Sequence, residues 1–148
     1  MKTSGILLLL VPLLAFAQDG AVSERELSLG GVAIGDSIDA VVARLGPPGR
    51  KVPAQDFIDL HYEYPHMQVS FNGGIVAGLH ADKADACTPK GLCPGDRLGR
   101  MRALYGAPIV SDRETGRYYE YVGGDAACWL QIRAKGKRVV SIDVACQP

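Results

Sequence analysis

The side chains able to do chemistry are few and scattered. The histidines are His61, His66 and His80, with Asp82 just behind the last. His61, His80 and Asp82 have the residue types of a metal site. No H-E-x-x-H run or i, i+4 histidine pair brings such ligands onto one helix face, however. Serine, histidine and aspartate are all present, yet no G-x-S-x-G turn presents a nucleophile. No pair of acids stands out for glycoside cleavage. Gly30-Gly31, Gly73-Gly74 and Gly123-Gly124 read as turns, because none lies in the strand-to-helix setting that a phosphate loop needs. The expectation is no metal, no cofactor and no catalytic residue.

The cysteines, Cys87, Cys93, Cys128 and Cys146, must be read with their compartment. Lys2, an apolar run from Ile6 to Leu14 broken only by Pro12, and Ala15-Phe16-Ala17 have the layout of a secretory signal cleaved after Ala17. The run is too short to span a bilayer. No cysteine sits at the cleavage site, so neither a membrane span nor a lipid anchor is expected. A periplasmic or extracellular chain with four cysteines reads as two disulfides. C-x2-C zinc knuckles are absent. Three pairings are possible; Cys87–Cys93 with Cys128–Cys146 is preferred, because the latter two lie on consecutive strand-like segments. The loop C-T-P-K-G-L-C puts Lys90 at its tip, and it reads as a staple rather than as a wedge for another protein's active site.

Without Lys2 the balance is 15 Lys and Arg against 16 Asp and Glu. So neutral a chain carries no footprint for nucleic acid and no polybasic stretch for anionic membranes.

The elements that must position these residues recur. Displaced by 60 residues, Gly31, Gly35, Asp36, Ala43, Gly46 and Pro48 fall on Gly91, Gly95, Asp96, Ala103, Gly106 and Pro108. In each block a capping residue (Asp36 or Ser37; Asp96) precedes a helical stripe: Ile38, Val41, Val42 and Leu45, then Leu98, Met101, Leu104 and Tyr105. Gly46 and Gly106 end helices of about ten residues. Alternating strands follow. Leu60, Tyr62 and Tyr64, then Met67, Val69 and Phe71, then Ile75 to His80 around Asn72-Gly73 make one meander. Tyr119 and Tyr121, then Cys128, Leu130 and Ile132, then Val140 to Cys146 make the second. A register summing to 274 sets Cys128 against Cys146, Leu130 against Val144 and Ile132 against Ile142, all on one face.

The expected fold class is therefore α+β: two tandem helix-plus-three-stranded-meander repeats forming an antiparallel sheet with helices on one face. The boundaries are 1–17 signal peptide, 18–28 extension, 29–86 first repeat and 87–148 second repeat. The opposite parity forms an open face carrying His61, Glu63, Gln68, Ser70, His80, Tyr118, Glu120, Trp129, Gln131, Arg133, Ser141 and Asp143. His61, Glu63, Tyr118, Glu120, Trp129, Gln131 and Arg133 are the candidate partner contacts, with the sole tryptophan as anchor.

The run G35-D-S-I-D-A-V41-V-A-R-L45-G46-P-P48 resembles the opening of the SmpA/OmlA (BamE-type) outer-membrane assembly lipoproteins. Gly106-Ala-Pro108, Ser111-Asp112, Tyr119-x-Tyr121-Val122 and the hairpin around Gly136 follow that family's order. The tandem arrangement is similar in build to the β-lactamase inhibitory proteins. The resemblance implies a sheet with a free face for a protein partner, either an envelope assembly protein or a hydrolase. It implies no lipid attachment here, since the lipoprotein cysteine is missing. The expected function is non-catalytic protein binding in the periplasm or outside the cell; the alternatives are a structural envelope protein without a discrete site, or a small metal-binding protein or enzyme.

Overall fold

A computed structural model describes residues 19–124 and 127–148; the signal-like segment lies outside them. The described chain builds a nine-stranded sheet and a separate two-stranded hairpin. β1 is Ala21–Val22, and the hairpin is β2 (Ser28–Leu29) with β3 (Val32–Ala33). The first half continues with α1 (Ile38–Leu45), β4 (Arg50–Pro53), β5 (Leu60–Glu63), β6 (Gln68–Asn72) and β7 (Ile75–Ala81). The second comprises α2 (Leu98–Tyr105), β8 (Ile109–Arg113), β9 (Gly116–Gly123), β10 (Cys128–Lys135) and β11 (Arg138–Cys146).

The strand order is β1-β9-β10-β11-β7-β6-β5-β4, with β8 also on β9. This corrects the expected fold class. Instead of two helix-plus-meander repeats forming an antiparallel sheet with helices on one face, the chain is mostly strand, with two short helices and one large sheet that is mixed because β1 runs parallel to β9; each helix is followed by four strands rather than three. β4 and β8 escaped the sequence reading because Arg-Lys-Val-Pro and Ile-Val-Ser-Asp-Arg show no alternation of apolar and polar residues. Both are held by pairing with a neighbour rather than by a buried face of their own: Val52 alone in β4 and Ser111 alone in β8 are even partly buried.

Local grammar explains the helix ends. Each helix has eight residues and stops at a glycine with positive φ, Gly46 at 81° and Gly106 at 77°. Ser37 caps α1 by accepting from the Ala40 N–H at 3.2 Å. Asp96 was expected to cap α2, but the cap is Arg97, with no side-chain bond. Asp96 instead accepts from the Cys93 N–H (2.9 Å) and pairs with Arg100, as Asp36 accepts from Ala33 (3.0 Å) and pairs with Arg44. These aspartates tie the loop before each helix, which places them too early to serve the helix itself.

The hairpin register is the one that sums to 274: Cys128 faces Cys146, Leu130 faces Val144 and Ile132 faces Ile142. Cys128–Cys146 and Cys87–Cys93 are the two disulfides. Leu130, Ile132, Ile142 and Val144 join Tyr62, Val69, Phe71, Leu79, Val41, Met101 and Tyr121 in one buried core. The N-terminal segment packs in by close approach: a Cβ on Gly123 would lie 2.7–2.9 Å from Leu27 side-chain atoms, so only glycine leaves Leu27 its place.

Candidate functional site

The seam between the halves positions the site. β7 and β11 pair antiparallel, with His80 opposite Asp143 and Gly78 opposite Ala145. Following registers outward from His80 and Asp143 gives one row across eight strands: Arg50, Glu63, Gln68, His80, Asp143, Gln131, Glu120 and Ile109. Seven of these eight are polar. Side chains directly opposite one another share a face, so this row runs along the side of the sheet away from Leu79, Leu130 and Ile142.

Its groups bind one another. His80 Nδ1 lies 2.6 Å from Asp143 Oδ1. That hydrogen bond raises the pKa of the imidazole above its ordinary value; the neighbouring Asp143 and Asp82 charges add to the effect, while burial and Arg133 oppose it. Arg50 donates to both Glu63 oxygens at 2.8 and 2.9 Å. Glu63 is held below the usual carboxylate range, first by that hydrogen bond. Glu120 accepts from Ser111 (2.7 Å), from Gln131 (3.0 Å) and from Arg113.

Beside this row runs another: Val52, His61, Ser70, Gly78, Ala145, Trp129 and Val122. Gly78 and Ala145 make its floor, and His61 and Trp129 stand at its sides, four strand spacings or roughly 19 Å apart. His61 Nδ1 is 2.8 Å from Ser70 Oγ. The Trp129 indole N–H is screened from solvent and has no acceptor among the described residues. On the far side, Arg133 pairs with Tyr118. Tyr118 shares a hydrogen bond with Thr115 at 2.8 Å, and the Arg113 guanidinium lies 4.8 Å from its ring centre.

The seven nominated residues thus lie in three adjacent rows: Glu63, Glu120 and Gln131 in the central one, His61 and Trp129 on one side, Tyr118 and Arg133 on the other. They are not equally free. Gln131 is only 8% exposed, and the Glu120 side chain only 13%. The pair at the centre of the face, His80 with Asp143, shares the open face but is not among the seven candidate contacts. Its partners are 63 residues apart, and nothing within either hairpin reports that seam.

Chemically, the Ser70–His61 and His80–Asp143 pairs use different imidazoles, so they do not chain into a serine–histidine–carboxylate relay. A cleft between the β5–β6 turn and the end of β7 is lined by Glu63, Tyr64, His66, Gln68, His80 and Asp82. Among the described residues, no three His, Cys, Asp or Glu side chains are grouped to hold a metal. Lys90 does not project from its loop: Nζ lies 4.9 Å from the centre of the Tyr105 ring and donates to the Leu104 carbonyl at 3.3 Å.

Among the described residues, no helix is long and apolar enough to cross a membrane. No family model matches the sequence, and no curated protein matches it. Solved structures do share its fold. A cysteine-rich secretory protein from Staphylococcus aureus superposes with a TM-score of 0.63 at 13% identity, over 87% of this chain and 49% of its own. An extracellular protein containing an SCP domain, from Bacillus anthracis, gives 0.57 at 12% identity, over 99% and 50%. The DUF4309 family protein YjgB of Bacillus subtilis gives 0.51 at 13%, over 79% and 83%. The chain therefore spans about half the length of the first two. These neighbours overturn the SmpA/OmlA (BamE-type) and inhibitor resemblance, which rested on glycine, helix and Gly-x-Pro spacings that any capped helix before a turn can produce. The two disulfides are of the kind that persists in an oxidising compartment.

Proposed function

We propose that this is a non-catalytic binding protein of the periplasm or extracellular space, exported by a signal cleaved after Ala17, which engages a protein partner across the outward rows of its sheet. The observation that carries the reading is the floor of Gly78 and Ala145 with Trp129 beside it. Small residues on two central strands leave room above the sheet, and tryptophan is the side chain most often found as an interface anchor. The adjoining polar row supports it. Its groups already hold one another in place, so docking orders few of them anew. The separate imidazoles of His61 and His80 favour binding over catalysis.

The test is capture from an envelope extract by the immobilised, disulfide-intact chain. The wild type is expected to retain a defined partner, and Trp129→Ala to lose it. Trp129→Phe keeps an aromatic side chain and removes an unsatisfied donor while giving up part of the indole's packing, so stability should change little. Arg133→Ala changes an exposed residue and should weaken capture without unfolding. A partner held equally by wild type, Trp129→Ala and Arg133→Ala would remove this face from consideration.

A further inference from the structure

The neutral total charge conceals a division. Residues 29–86 carry four Lys and Arg against seven Asp and Glu, whereas residues 87–148 carry ten against six. In the second half the described acids are largely engaged: Asp96 with Arg100, Asp112 with Arg117, Glu120 with Arg113, and Asp143 with His80. Arg97, Arg133, Lys135, Lys137 and Arg138 make no ion pair among the described residues.

Three of these cations are in register. Arg97 bridges Arg138, and Arg138 pairs with Lys135 at the mouth of the β10–β11 turn. Like charges set directly opposite each other destabilise a sheet. The same place in the first half is neutral: Ser37 bridges Ile75, which pairs with Asn72. The strand and bridge pairing therefore does not require the cations, although the Arg138 guanidinium also donates to the Gly95 carbonyl at 2.9 Å. Beside them opens a cleft lined by Arg133, Lys135, Thr115 and Gly116.

We infer that this cationic rim docks a short acidic segment of the protein partner, an inference that rests on the binding reading of the same face. The surroundings favour a short segment over an extended anionic surface. Glu114, exposed and next in sequence to Thr115 and Gly116 of the cleft, sets a carboxylate beside the cations that a lipid bilayer or a uniform polyanion pressed against this end would also meet.

The test is an NMR titration of the disulfide-intact chain with the peptide (Glu-Ser)4, at low and at physiological salt. Amide shifts are expected around residues 97, 113–117 and 133–138. Affinity should fall as salt rises, and by about tenfold or more in Lys135→Glu/Arg138→Glu, since each reversal replaces an attraction by a repulsion. Both residues are exposed, so away from Gly95, whose carbonyl accepts from Arg138, the amide spectrum of that variant should be conserved. Shifts no larger at this rim than at Arg44, Arg50 and Lys51, or undiminished in the reversal variant, would overturn the inference. Tighter retention on phosphatidylcholine–phosphatidylglycerol vesicles than by the peptide would replace the segment with a lipid surface. A dimer forming only at low salt would replace it with a second copy of the chain. Failure of the titration while capture still depends on Trp129 would sink the acidic-segment assignment and leave the binding face standing; loss of Trp129 dependence would sink the face itself.

Discussion

The two halves of the sheet are held by corresponding contacts and finished by different side chains. Tyr64 donates to the Gly46 carbonyl at 3.0 Å, and Tyr121 donates to that of Gly106 at 2.8 Å, each closing the end of its own helix. Gly35 donates to Val76 and Gly95 to Val139; Val76 and Val139 donate back to Asp36 and Asp96. Ser37, however, has Arg97 as its counterpart, and Leu45 has Tyr105. Tyr105 is buried with Glu26 and Thr88, its hydroxyl 2.8 Å from the carboxylate and 2.6 Å from the threonine oxygen. Both disulfides also lie in the second half. The difference teaches that the frame tolerates exchange at its margins. The second half combines a poorer helix cap and unneutralised cations with extra ties to the N-terminal segment and to itself.

Removing those ties should break the comparison most visibly. Replacing Cys128 and Cys146 with alanine frees a loop of 18 residues, for which loop-closure entropy gives about 3 kcal/mol. The Cys87 and Cys93 double replacement, over six residues, should cost less, about 2 kcal/mol. Urea denaturation of both variants checks the order, and a costlier Cys87–Cys93 loss would show that this loop does more than shorten the unfolded chain. Tyr105→Phe strips the buried Glu26 of a donor and should cost roughly 1–3 kcal/mol. Tyr64→Phe and Tyr121→Phe should cost about 1 kcal/mol each. Unequal losses from those two would mean the helix-end contacts are not equivalent. For Tyr121, burial pushes the phenol pKa up to about 12, so in a spectrophotometric titration its ionisation should lag behind that of a freely exposed tyrosine.

Smaller effects sharpen the contrast at the caps. Ser37→Ala should lower stability by about 1 kcal/mol, whereas Arg97→Ser should raise it by up to a similar amount. Thermal melts decide, and an Arg97→Ser variant no more stable than wild type would mean that α2 has no need of a cap. The smallest effect belongs to the seam. Because the Asp143 bond raises the His80 pKa, the pair's stabilisation is complete below an unfolded-state pKa of about 6.5 and is lost as pH rises through the higher folded value. Asp143→Asn should bring the imidazole pKa back down, read by proton NMR, and flatten this part of the stability profile. The change in stability will be slight, because the His80 side chain is 45% exposed.

Much of the local structure was legible from residue types. Gly46 and Gly106 stop their helices, Ser37 starts one, and alternation placed Leu130, Ile132, Ile142 and Val144 inward with their register. The candidate site was legible only in part. Parity assigned His61, Glu63, Trp129 and Arg133 to one side, but it could not tell that Gln131 and Glu120 are covered by their neighbours. Nor could it tell that Ser111 and Arg113, from a strand without alternation, would reach Glu120.

Sequence alone therefore determined what depends on neighbours within about twenty residues: where both helices stop, the pairing of the β10–β11 hairpin, and which side of the alternating strands is apolar. Those follow from φ preferences, capping and a period of two, all local properties. Tertiary structure decided the seam of β7 on β11, the parallel addition of β1, the two edge strands, and hence the His80–Asp143 pair and the rows around it. Such pairings join segments tens of residues apart. They are chosen by how two apolar surfaces fit together, a choice that no single segment encodes.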